Sequence, residues 1–128
     1  MTAFERWVHV RVGAVVLDLP AVLVLQQGAT ADSASAVFEG GGLFVLIDQG
    51  PFAPSLDADV GRPGFSEVPA EVCGSPGRLV TFVSESGTVY TTAVEVAAPR
   101  RITVVVRAES SVPREVPLKI VHSVQALE

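Results

Sequence analysis

The chain has 128 residues and a net charge of −5, with 48% hydrophobic and 18% charged residues. That balance excludes intrinsic disorder, which needs low hydrophobicity and high charge, and the length suits a single domain, residues 1–128, around one core. The pI of 4.9 and a mean hydropathy of +0.45 argue against a nucleic-acid partner, because an acidic surface repels a phosphate backbone; they favour an aliphatic core or an apolar surface covered by another protein.

The amino-terminal MTAFERWVHV has no long apolar core behind a basic start, so it does not read as a secretory signal. A cytoplasmic location is expected, with a processed secreted chain as the alternative. Trp7 to Val12 alternates: Val8, Val10 and Val12 share one face, and Trp7, His9 and Arg11 share the other. This is a half-buried strand. Gly13 follows, then AVVLDLP, which Pro20 closes. AVLVLQQG (21–28) is read as a strand or an irregular segment, and ATADSASA (29–36) as a loop or a helix start. SAVFEGGGLFVLIDQG reads as a hairpin that turns at Gly40-Gly41-Gly42. This glycine run leads into a strand and lacks the G-K-[ST] that a phosphate loop requires, so it is a turn. Leu43 to Ile47 is apolar on both faces, as in a central strand. No apolar run reaches the roughly 18–20 residues of a membrane span.

Asp48 ends that strand. Buried strands that give way to loops often carry binding residues, so Asp48 and Gln49 are the candidate ligand-binding residues. The competing reading, preferred for Asp48, is an Asx-type turn holding the loop entry. From about 49 to 77 the pattern dissolves into prolines and glycines. A long loop is expected there, with one short strand conceivable around 68–72. Asp57-Ala58-Asp59 lacks the further oxygen ligands of a calcium loop, so no metal is expected. Cys73 is the one cysteine. It forms no intramolecular disulfide, and Glu71 beside it has the wrong sign to activate a thiol.

RLVTFVSE, TVYTTAVEV and RITVVVRAE are three consecutive β-type runs, and Arg100-Arg101 lies in a turn between the last two. In the tail, Ile120, Val121, Val124 and Leu127 form a helical stripe, and Pro117 fits the first turn of such a helix. The alternative is a further strand through Val116, Leu118 and Ile120. His9 and His122 are the only imidazoles, and both read as surface residues. No G-x-S-x-G elbow accompanies them, so no catalytic residue and no cofactor are assigned.

The three strands, followed by a helix ending in KIVHSVQAL, resemble the carboxyl half of the PsbP-like α+β fold of small bacterial proteins. VLDLP, DSASAVFEG and GLFVLIDQGPF resemble its early strands. The resemblance implies a non-enzymatic binding or assembly role and carries over no functional residue. The expectation is therefore α+β: a single antiparallel β-sheet with a C-terminal helix packed on one face, and an all-β sandwich as the alternative. The expected function is a non-catalytic binding or assembly module with a protein partner or a homo-oligomer, through the outer sheet face (around Thr103) or an edge strand. The alternative is a small hydrolase or ligand-binding protein using Asp48 and the 49–77 loop.

Overall fold

A computed structural model of the chain describes residues 4–28, 35–49, 61–72, 75–84, 86–96 and 101–126. Among them, the elements follow in the order β1 Trp7–Val12, β2 Val15–Pro20, β3 Val24–Gly28, β4 Ser35–Gly40, β5 Leu43–Gln49, β6 Ser66–Val72, β7 Ser75–Val83, β8 Val89–Val96, β9 Ile102–Glu109, α1 Glu115–His122 and β10 Gln125–Ala126. The pairings are antiparallel. They make two sheets: a seven-stranded one in the order β3-β4-β5-β9-β8-β7-β6 and a three-stranded one in the order β1-β2-β10. No helix among the described residues is long and apolar enough to cross a membrane.

The arrangement is sandwich-like, which corrects the expectation of a single sheet with a helix on it. The helix does form in the tail and does contact β8 and β9, but it shares that layer with β2. The amino-terminal strands stay out of the main sheet because β2 is paired on both sides, by β1 and by β10. Its residues Val15, Val16, Leu17, Leu19 and Pro20 are buried accordingly. Pro117 lies in the first turn of α1, where a missing N–H costs nothing.

One continuous core lies between the layers. Val45 and Ile47 of β5, Val104 and Val106 of β9, and Val94 and Val96 of β8 meet Val12, Val15 and Leu17 of the small sheet and Ile120 and Val121 of α1. The alternation of β5 (buried, half-buried, buried) is the period-2 signature of a strand with one face in this core. Within β1 only Val12 is buried, while Val10 is half-buried and Val8 exposed. β1 is the edge of the small sheet, so its valines are not equally covered.

The outer face of the large sheet is not a bare apolar plane. Val80 and Ala93 are fully buried there, under Phe65 and Val105. Arg62 lies over Phe82 and Arg107 over Phe44, each 5.3 Å from the ring centroid. Thr103 is also fully buried, so the outer-face position expected to be open is closed.

The expected loop at 49–77 is shortened at both ends. Gln49 belongs to β5; β6, Ser66–Val72, takes in the short strand expected around 68–72, and it pairs with β7, which starts at Ser75, from Ser66↔Thr81 to Val72↔Ser75. Pro69 is compatible with this strand because β6 lies at the edge of the sheet. Residues 50–60, with Asp57 and Asp59, lie outside the described residues, as do Cys73 and Arg100. The glycine turn is as expected: Gly40 pairs with Leu43, and Gly41 and Gly42 have φ of 60° and 83°. Two positive φ values in a two-residue loop match the twist of the flanking strands.

Candidate functional site

Asp48 and Gln49 are consecutive residues of β5, so their side chains leave opposite faces of the sheet. They cannot converge on one ligand. Gln49 is buried on the inner face. Its Nε2 donates to the Val12 carbonyl at 2.9 Å, and its Oε1 accepts the Ala14 N–H at 3.2 Å. Those two backbone groups flank Gly13 in the turn between β1 and β2. One amide therefore fixes the tip of the small hairpin against the central strand of the large sheet. One N–H and the carbonyl oxygen of the amide are engaged by backbone, which is a positioning role within the fold.

Asp48 is half-buried on the outer face, opposite Thr103 of β9 and Ser35 of β4. The same row continues to Glu95 and Arg78. Arg78 closes it electrostatically: Nη1 lies 3.0 Å from Glu67 and Nη2 lies 3.3 Å from Glu95. The row sets one cation, Arg78, among the carboxylates of Glu67, Glu95 and Asp48 on a sheet face. It does not by itself build a base beside a nucleophile.

The two imidazoles occupy different places. His9 of β1 faces Asp18 of β2 across the strand pair, with Nδ1 2.8 Å from Oδ1, and the side chains are 67% and 44% exposed. At that exposure the pair contributes little to stability. His122 ends α1 and is exposed. Among the described residues no group of three or more His, Cys, Asp or Glu gathers to hold a metal ion.

Ser123, just past the helix, has a structural task that its sequence context does not advertise. Its hydroxyl donates to the Ile120 carbonyl at 2.6 Å and accepts the Asp18 N–H at 2.8 Å. β10 pairs Gln125 with Val16 antiparallel, so two residues back from Gln125 and two forward from Val16 the register sets Ser123 beside Asp18. The hydroxyl supplies the ladder bond that the backbone, still turning out of the helix, does not. Tyr90 carries a shifted phenol pKa. Burial pushes its phenol above the ordinary tyrosine value. The Arg114 guanidinium 4.5 Å from its ring centroid, and a hydrogen bond from Thr81, partly offset that rise.

A depression of about 150 Å³ opens between β6 and the end of α1, floored by Leu79, Val94, Val121 and Val124, with Glu71 and His122 also in its wall. It is large enough for one small apolar group.

What sequence reasoning missed is the exposed edge of the large sheet. Val24 is 60% and Leu25 is 44% exposed on β3, whose partner strand among the described residues is β4. A signal was present: residues 19–28, LPAVLVLQQG, contain no charge. A scan against protein-family models and a search of curated proteins gave no match for the chain.

Proposed function

We propose that this chain is a small non-catalytic binding or assembly module that works through protein–protein contact. The observation that carries the reading is the edge strand β3, where two large apolar side chains stand in solvent and, among the described residues, no strand pairs beyond it. Such an edge is a ready template for another strand. The order of strands and helix at the carboxyl end, which resembles the PsbP-like group, supports the same role by analogy only. The alternative of a hydrolase or ligand-binding protein centred on Asp48 draws no support from Gln49, which is engaged by the Val12 and Ala14 backbone.

The test compares the wild-type chain with Leu25→Lys in capture from the native host and in sedimentation. Self-association, or a protein held by the wild type and released by the variant, supports the module. A substrate turned over by the wild type and not by Asp48→Asn would overturn it.

A further inference from the structure

Among the described residues, three strands of length border an open edge: β1 in the small sheet, and β3 and β6 in the large one. Natural sheets guard such edges with charge, proline or bulges. β1 is guarded by exposed His9 and Arg11, with Glu5 and Arg6 just before it. β6 is guarded by exposed Glu67 and Glu71 and by Pro69, which lacks an N–H. β3 has only a register shift between Leu25 and Gln27. No residue from 19 to 28 carries a charge. Val24 and Leu25 stand in water there, as Val8 does on β1 and Val68 on β6, so it is the missing charge that sets β3 apart.

The identity of the occupant follows from symmetry and charge. When two copies of a strand pair antiparallel about a two-fold axis, each copy faces the other's sequence in reverse, and the residue on the axis faces itself. Centred on Pro69, self-pairing of β6 would set Glu67 opposite Glu71; centred on Arg11, self-pairing of β1 would set that cation against its copy. Like charges set opposite one another on paired strands are destabilising. In a chain of net charge −5, β3 is the open edge, among the described residues, that brings no charge to its own copy in any register. Gln26 adds side-chain hydrogen-bonding capacity without charge, its own Nε2 now donating only to the Val24 carbonyl at 3.2 Å.

We infer that β3 is a self-association edge: two copies of this chain join antiparallel through β3, making one continuous sheet across a two-fold axis. The inference rests on the binding-module reading and names its partner as a second copy. Because the joined strands are uncharged while each copy carries −5, salt screens the repulsion between copies and does not weaken the association, unlike one driven by surface ion pairs.

Sedimentation velocity and concentration-dependent hydrogen exchange test it together. The expected result is a dimer at micromolar concentration whose dissociation constant does not rise with salt. Its Val24–Gln26 amides should exchange more slowly as concentration rises. Leu25→Lys, at a side chain that is already 44% exposed, should keep the wild-type circular dichroism and weaken the dimer at least about tenfold. Val68→Lys on β6 should leave it unchanged. A monomer up to about 100 μM, a dimer split by Val68→Lys instead, or a dimer without protection in β3 would each overturn the inference. A monomer that still captures a foreign protein in a Leu25-dependent way would replace the second copy by a foreign strand and leave the binding-module reading standing. A monomer that captures nothing would remove both.

Discussion

Replacing Gln49 by leucine should destabilise the protein by about 2–4 kcal/mol, although the two side chains are similar in length and no large cavity opens. The magnitude follows from what is left behind. The amide makes two hydrogen bonds, to Val12 O at 2.9 Å and from Ala14 N at 3.2 Å. A typical bond contributes about 1 kcal/mol net, and a buried group left without a partner costs about 1–3 kcal/mol. Val12 is only 1% exposed, so its carbonyl bears most of that cost. Ala14 is half-buried, so water can partly replace its acceptor. Urea denaturation followed by the single tryptophan should show the loss as a lower midpoint at unchanged m; in a thermal melt it corresponds to roughly 8–15 °C for a domain of this size. Gln49→Glu gives a second check with a sign. Above neutral pH the new carboxylate faces the Val12 carbonyl oxygen in a buried setting, so its folded-state pKa should lie above the ordinary value of about 4.3. The variant should then approach wild-type stability below about pH 4, where the acid can donate to Val12, and lose it as pH rises through the folded-state pKa. A Gln49→Leu midpoint within about 0.5 kcal/mol of wild type, the range of ordinary surface substitutions, would refute the clamp.

Tyr90 is the only tyrosine, so absorbance at the phenolate band reports it alone; the folded protein should titrate above the ordinary pKa of 10.0 because burial raises it. The stability held by its neutral form is complete below pH 10 and falls as pH climbs through the folded value, and Arg114→Met should push the titration higher still, since Arg114 is a lowering influence. Gly77→Ala should cost about 1–3 kcal/mol, because a Cβ there would meet the Glu95 carbonyl oxygen at 2.4 Å. Gly87→Ala, where nothing lies within 4 Å and only a φ of +75° is strained, should cost about 1 kcal/mol; thermal melts of the two variants rank them. Ser123→Ala removes the bridge between Ile120 O and Asp18 N and should cost about 1–2 kcal/mol by denaturant titration, with faster amide exchange at Asp18.

The sequence made the local elements legible where one physical rule acted alone. The run from Leu43 is apolar at successive positions and is a central strand. Gly41-Gly42 is the two-residue turn that positive φ demands, and Pro117 sits where a first helical turn tolerates it. Legibility failed where tertiary position overrode local chemistry. Pro69 and Gly77 look like loop residues, yet an edge strand accepts one and a close carbonyl requires the other. The polar pair Asp48-Gln49 looked like the mouth of a site because the strand was taken to end at Ile47. Once β5 is extended by two residues, its alternation sends Asp48 outward and Gln49 into the core. That β2 would be flanked by β1 and β10, and so leave the main sheet, depends on a contact between the two ends of the described chain that no local pattern encodes.

The order of the large sheet also bears on how the chain is made. β9 lies between β5 and β8, with Leu43 opposite Ala108 and Gln49 opposite Ile102. During synthesis, β4 and β5 can close their hairpin early, but the far side of β5 waits for a strand more than fifty residues later. At ordinary rates of elongation that wait is roughly 3–10 s. Throughout it, the apolar stretch Leu43–Ile47 has one side unpaired and only the β1–β2 hairpin to cover its core face, since α1 and β10 emerge later again. Long-range pairing of this kind slows folding and exposes the nascent chain to intermolecular pairing. Chaperone dependence of the soluble yield, and its improvement when elongation is slowed little but temperature is lowered, should therefore trace to β5 rather than to the helix that seals the core.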